Sequence, residues 1–338
     1  MKKSTALALL LLFGYCAPNS YATTFKVASL SPSGSAWMNA MKGGAKEIKQ
    51  RSEGRVKFKF YPGGVMGDDK AVLKKIRIRQ LHGGALMAGS LSKFYADSQI
   101  YNSPLVFKNF NEVDYVRAKM DQKIIDGFEK GGFVSFGLAE AGFAYAMSKT
   151  PLTNSADLKQ RKVWAPSDDK ASLEIIRTYG ITPIPLAIPD VLAGLQTGII
   201  DTVAVSPIGA LALQWHTQIK HITDIPLMYT YALFVLEKKA FYRLSDNDQA
   251  LVREVMTKTF TKIDKQNRQD NIAALKALQN QDITITAPSE AEQAAWNTKA
   301  KLAAKNLIES GEVSSEIMEE FLLHLDAFHS QQASTLSE

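Results

Sequence analysis

Five histidines, one cysteine and two pairs of adjacent aspartates are the groups in this sequence best equipped for chemistry. His82, His216, His221, His324 and His329 are scattered along the chain. His216 and His221 are five apart, which misses the i, i+4 register that two metal ligands on one helix need. Asp68-Asp69 and Asp168-Asp169 are rich in oxygen, yet aspartates at a turn before a helix more often serve as caps. No nucleophile elbow, H-E-x-x-H zinc motif, phosphate loop or dinucleotide fingerprint occurs. The glycine pairs at 43–44, 63–64, 83–84 and 131–132 stand without the flanking residues of a phosphate loop. The residue types therefore point away from catalysis, and no cofactor or metal is expected. What they favour is binding: a hydroxyl such as Ser206 at a strand end, followed by helix N–H groups, can meet a polar group of a ligand. Gln214-Trp215-His216 forms a second polar and aromatic cluster.

The elements that must position such residues begin after a leader. Lys2-Lys3 precedes the apolar run TALALLLLF at 5–13, and Ser20-Tyr21-Ala22 fits a secretory cleavage site, so residues 1–22 are expected to be a signal peptide. The run is about half the ~20 residues that span a bilayer. Cys16 offers an alternative as a lipid-bearing residue, but Tyr15 directly before it fits a lipidation site poorly. With 338 residues, 46% apolar and 22% charged, the chain has the composition of an exported globular protein of two domains or one large one. Its formal charge of +6 comes from 40 basic and 34 acidic residues that do not cluster with aromatics, so nucleic acid is not an expected partner.

Periodicity then reads as strand 25–28, helix 35–51 capped by Ser33 or Ser35, strand 56–60, a helix through Val72 and Ile76 capped by Asp68 or Asp69, and strand 85–87. Strand and helix alternating in this way predict a parallel sheet covered by helices. A helix at 111–130 leads to strands 133–138 and 143–147. After the turn-rich 151–155 a second unit repeats the style. It has a strand at 162–164, a helix 168–179 capped by Ser167, a helix at 190–197, a strand at 201–205 and a helix from Pro207. Tyr229 to Leu236 is an apolar strand. A very long helix runs from Ser245 to about Leu278, Ser289 and Glu292 make a capping box, and helix continues to about 328 before a frayed polar tail at 331–338. Two α/β units without catalytic equipment suggest a receptor that closes on a small solute.

Three stretches carry a family resemblance. YPGGVMGDDKAVLKKIRIRQLHGG (61–84), FGLAEAGFAYAMSKTPLTNSADLKQRKVWAP (136–166) and GITPIPLAIPDVLAGLQTGIIDTVAVSP (180–207) together resemble the extracytoplasmic solute receptors of TRAP transporters, the DctP-type proteins. The resemblance implies an α/β two-lobed periplasmic binding protein fold with crossing strands and a long linking helix. Lobe one is expected at 23–147 plus about 231–265, and lobe two at 148–230 plus about 266–330. It further implies a periplasmic, monomeric receptor that delivers a small organic solute, unchanged, to a small and a large permease subunit in ion-driven secondary transport. The same fold coupled to a membrane histidine kinase is the alternative. A periplasmic enzyme built on Arg161 or Asp201 is the remote one.

The departures from the family pattern matter most. Where the family carries its carboxylate-clamping arginine, this sequence has Trp164, within Lys162-Val163-Trp164-Ala165-Pro166. Ala144 holds the place of a second arginine after Gly142-Phe143, and Ala204 replaces an acidic residue after Asp201. An arginine fork grips a carboxylate with two charge-assisted hydrogen bonds, whereas an indole offers area, one donor and a π face. The site is therefore expected to favour a neutral, aromatic or cationic solute over a monocarboxylate. Arg79, or Lys162 and Arg161, could still supply a positive charge. The expected ligand contacts are Trp37, Asp69, Met87, Ser90, Phe143, Tyr145, Trp164, Ser206, Trp215, His216 and Arg79. Trp37, Phe143 and Tyr145 could equally be packing residues.

Overall fold

The computed structural model describes residues 22–336. The signal-peptide expectation and the Cys16 alternative fall on residues 1–21, outside the described residues.

The first unit runs β1 (Thr23–Ser29), α1 (Ala36–Arg51), β2 (Val56–Tyr61), α2 (Asp69–Arg77), β3 (Gly83–Met87) and the short α3 (Ala88–Leu91). Local chemistry sets its boundaries: Ser35 Oγ accepts the Met38 N–H at 3.3 Å, and Asp68 Oδ1 accepts the Ala71 N–H at 2.8 Å. β1 pairs in parallel with both β2 and β3, as strand–helix alternation requires. A 3-10 turn, Ala96–Asn102, leads to α4 (Phe110–Lys130) and β4 (Phe133–Ser148).

β4 is one strand of 16 residues, where the sequence suggested two. The chain does not break at Gly142. It takes φ +101° there and absorbs the irregularity as a register shift between Glu140 and Gly142 against the partner strand. A Cβ on Gly142 would lie 2.5 Å from Asn271 Nδ2, so only glycine fits this crossing.

The second unit contains α5 (Ser155–Lys159), β5 (Trp164–Pro166), α6 (Lys170–Thr178), β6 (Ile184–Leu186), α7 (Val191–Thr197), β7 (Thr202–Val205), α8 (Pro207–Ala212) and β8 (His221–Thr223). The cap of α6 is Asp169 rather than Ser167: its Oδ1 accepts the Ser172 N–H at 3.1 Å. The chain returns through β9 (Met228–Glu237), the short α9 (Lys238–Phe241), α10 (Asp246–Gln279), β10 (Thr284–Thr286), α11 (Glu290–Glu309) and α12 (Ser315–Leu336).

The large sheet has the order β10-β8-β4-β9-β3-β1-β2, with β7 also on β4. β4 and β9 run antiparallel over most of their length, from Phe133 opposite Glu237 to Ala144 opposite Met228. Beyond Ala144, β4 pairs with β7 and β8 instead, so one strand is shared by two lobes. Helices cover both faces of the first lobe. Met38, Ile48, Val252 and Phe260 pack on one face, and Val116, Ile124 and Phe128 pack on the other. The second lobe has its own core around Trp164, Trp215, Leu195 and Ile222.

α10 is 34 residues long, about 51 Å at 1.5 Å per residue. Its first half packs in the first lobe through Val255 and Ile263, and Leu278 at its end packs in the second. Polar contacts fasten it to the crossing strand. Asn267 Nδ2 donates to the Glu140 carbonyl at 2.6 Å, and Asn271 Nδ2 to that of Ala141 at 3.0 Å. Arg268 pairs with the fully buried Glu140 at 2.6 Å, and Arg117 on α4 pairs with Asp264 at 3.0 Å.

Three C-terminal expectations need correction. Residues up to 330 do not all lie with lobe two: α11 packs on α6, but α12 packs on α4, burying Ile317, Phe321 and Leu325 in the first lobe's core. The helix also continues to Leu336, where the sequence suggested a frayed tail from 331. The apolar stripe of α12 holds it on α4, and Gln331 Nε2 donates to the Tyr115 hydroxyl at 3.3 Å. Glu292 does not close its capping box either, because its Oε2 accepts from the Ser155 N–H and hydroxyl on α5 instead.

Candidate functional site

A cavity of about 280 Å³ lies between the lobes. Its first-lobe wall comes from the end of β3 and start of α3 (Met87, Gly89, Ser90) and from Asn102 and Pro104. Ala144 and Ala146 of β4 and Thr230 of β9 form its floor. The second-lobe wall includes Trp164, Val205, Ser206 and Trp215, and the cavity extends to Tyr179 and Trp296 where α6 meets α11. Strand ends and the helices that follow them thus line it, as in other open α/β sheets. A 150 Å³ cavity holds benzene, so this one suits a molecule of roughly ten to twelve heavy atoms.

The cavity's polar groups are largely turned inward. Trp164 Nε1 donates to the Leu186 carbonyl at 3.0 Å, and its ring meets Trp215 edge-on at 5.1 Å. Trp296 Nε1 donates to Ser155 Oγ at 3.0 Å, and the Tyr179 hydroxyl donates to the Trp296 carbonyl at 3.1 Å. The hydroxyls of Thr230, Thr202 and Ser172 donate to the Gly142 carbonyl, Asp201 and Asp169 respectively, at 2.7–2.8 Å. Among the described residues, no arginine or lysine lines the cavity.

One polar chain crosses from lobe to lobe. Asp169 Oδ1 accepts from Gln99 Nε2 at 3.1 Å, and Gln99 Oε1 accepts from Asn102 Nδ2 at 2.7 Å. All three side chains are buried. Asp169 also stands against Gly89: a Cβ there would come within 2.3 Å of its Oδ2. Burial raises the pKa of Asp169, opposed by its bonds from Ser172. Nearby, Asp69 Oδ2 accepts the Met87 N–H at 3.0 Å. Burial pushes the Asp69 carboxyl up to about 7; the Met87 N–H opposes this and the Asp168 charge adds to it.

Of the residues singled out in the sequence, Met87, Ser90, Trp164, Ser206 and Trp215 line this cavity. The others lie elsewhere. Trp37 is half-buried against α10, edge-on to Phe260 at 5.9 Å, with Nε1 donating to Asn267 Oδ1 at 2.8 Å. Asp69 sits behind the wall, holding the Met87 backbone. Phe143 packs between Phe110 and Tyr229, because alternation along β4 turns it away from Ala144. Tyr145 lies between the cores of the two lobes. His216 bonds through Nδ1 to the Ala210 carbonyl at 3.1 Å.

Arg79 is exposed at φ +62° in the turn after α2, far from supplying a charge to the cavity. Arg161 donates to the Pro151 carbonyl, and Lys162 Nζ to that of Gly198. The free helix N–H groups expected beside Ser206 are taken as well: Gly209 N–H goes to Ser206 Oγ and Ile208 N–H to Asn271 Oδ1.

Sequence reasoning missed Gly89, Gln99, Asn102, Tyr179 and Trp296. Asp169 was visible only as half of an aspartate pair. Its role depends on Gln99, 70 residues away, which no local pattern reveals.

Comparison with known proteins is consistent along the chain. A solute-binding protein of Verminephrobacter eiseniae is 26% identical over 211 residues, covering 61% of this chain and 62% of its own. The C4-dicarboxylate-binding periplasmic protein DctP of Rhodobacter capsulatus is 24% identical, covering 75% of this chain and 78% of its own. The sugar acid binding protein DctPAm of Advenella mimigardefordensis, in complex with galactonate, superposes with a TM-score of 0.83 at 17% identity, over 91% of this chain and 99% of the other. Residues 27–310 match the sequence profile of the DctP family, described as bacterial extracellular solute-binding protein, family 7. With that match spanning most of the chain and both lobes, the protein belongs to the DctP-type solute receptors of TRAP transporters.

Proposed function

We propose that this chain is a periplasmic receptor that closes its two lobes on one small solute and hands it, unchanged, to the small and large permease subunits of a TRAP transporter. It works as a monomer and not as an enzyme. The first lobe comprises residues 23–147, the return through about 265 and the C-terminal helix. The second comprises 148–230 and about 266–309.

The observation that carries the reading is the cavity itself. Both lobes and the shared strands wall it, so filling it favours the arrangement in which the lobes touch. No helix among the described residues is long and apolar enough to cross a membrane, which suits a receptor that meets its permease at the surface. With Trp164 and Ala144 in the wall and no arginine or lysine among the described residues that line it, the cavity lacks the fork that would hold a carboxylate.

Native mass spectrometry of the purified chain tests this. The expected result is one small molecule per monomer, released with unchanged mass on denaturation and taken up by vesicles that carry the permease only when the receptor is added. Steady conversion of the solute by the receptor alone, or uptake that ignores the receptor, overturns the reading.

A further inference from the structure

The cavity has a deep end. Beyond the gap between the lobes it continues into the second lobe, among α5, α6 and α11, where Leu158, Ile175, Ile176, Tyr179, Ile181 and Trp296 wall it. Four apolar side chains on the cavity, Leu152, Val163, Ile181 and Trp296, are buried yet stand outside the three hydrophobic cores of the molecule. They are withdrawn from bulk water, but part of what faces them is open space. Side chains that face a void forgo the dispersion contacts that packed neighbours supply, so a guest that fills the space restores them.

The polar side-chain atoms of this bay already have partners. The Tyr179 hydroxyl donates to the Trp296 carbonyl at 3.1 Å, Trp296 Nε1 to Ser155 Oγ at 3.0 Å, and the Ser155 hydroxyl to Glu292 at 2.8 Å. A cavity lined in this way stays dry and takes apolar guests. Charge finds little support in the rest of the site. The carboxylate in the cavity wall, Asp169, already accepts from Gln99 and from the Ser172 N–H and hydroxyl, and Gly89 stands against its Oδ2. An ammonium group would therefore gain little there. An anion would lose its water without meeting a cationic side chain among the described residues that line the cavity.

We propose that the second-lobe bay is the selectivity pocket of this receptor, and that the solute is an uncharged molecule whose hydrocarbon portion, an alkyl chain or ring, fills it. The remainder of the solute lies between the lobes, where closure covers it. This inference rests on the receptor reading above and deepens it by assigning a chemical class and a place for the apolar part.

The test titrates the purified chain with 1-alkanols of four to eleven carbons, and with octanoate and octylammonium. Affinity is expected to rise about fourfold with each methylene. It levels off at about nine or ten carbons, when the cavity is full. Octanoate and octylammonium bind about tenfold or more weaker than 1-octanol. Two variants locate the chain. Ile176→Trp narrows the bay and moves the levelling point to shorter chains; Trp296→Phe widens it and moves that point to longer ones. Opposite shifts are a signature that general loss of stability does not produce, and the series on the unaltered protein decides the matter even if a variant folds poorly. Affinity independent of chain length, strongest binding by either ion, no binding by any probe, or a levelling point that neither folded variant moves overturns the inference. A co-purified anionic solute released unchanged would overturn it while leaving the receptor reading intact. A solute converted to product would overturn the receptor reading instead.

Discussion

Gly89→Ala is the smallest change that separates folding from closure. Gly89 is not among the glycines at positive φ, so alanine is compatible with its backbone. The new Cβ, however, would lie 2.3 Å from Asp169 Oδ2 and 2.7 Å from its Cγ, across the gap between the lobes. Carbon and oxygen rest at about 3.3 Å or more, so the overlap is about 1 Å. The overlap is relieved in one of two ways. Either the lobes part at this point, or Asp169 swings away from Gln99 and Ser172. Both routes sacrifice a charge-assisted hydrogen bond worth about 1.5–3 kcal/mol, which converts to a tenfold to 150-fold loss of affinity. The first lobe alone is untouched, so the ligand-free melting temperature should change by no more than a degree or two. Calorimetric titration of the co-purified solute into both proteins reads the affinity, and small-angle scattering of the loaded forms reads the closure. In an Asp169→Ala background the same substitution should cost far less, because the atoms it strikes are gone. Additive effects of the two changes, or unaltered affinity in Gly89→Ala, would refute the idea that this contact forms on closing.

Two further outcomes concern stability. The Asp69 carboxyl titrates near 7 in the folded chain and near 4 when unfolded, so the folded state holds a proton that the unfolded state releases between those values. Stability should therefore be highest below pH 4 and fall by up to ~4 kcal/mol as pH rises to 7, on this group's account. Asp69→Asn should flatten that slope in urea unfolding at pH 4 to 7, and an unchanged slope would show that Asp69 is not its source. Arg117→Ala should lower stability by about 3–5 kcal/mol, because Asp121, Asp264 and the Tyr229 hydroxyl lose a shared buried partner. A shift in urea midpoint worth less than 1 kcal/mol would mean that these contacts do not hold α10 to the crossing strand.

Local pattern and long-range packing divide this protein cleanly. The alternation of β1 to β3 with α1 and α2 and the length of α10 are written in periods of two and 3.6, so sequence alone determined them, whereas the choice of Ser35 over Ser33 and of Asp68 over Asp69 as caps was made by the folded chain. The expectation that Trp164 and Ala144 stand where the family has arginines came equally from residue identity within a matched stretch. Which residues face the cavity was not legible in this way. Phe143 and Ala144 are neighbours on one strand, and only the pairing of β4 with β9 and β7 decided that the alanine looks inward. Asn102 and Asp169, from different lobes, are joined through Gln99 only once the chain has folded. α12 joined the first lobe because its apolar stripe found α4, about 200 residues earlier in the chain. Helices and turns are specified by neighbours a few residues apart, whereas a binding cavity is specified by atoms that meet only after the chain has folded back on itself.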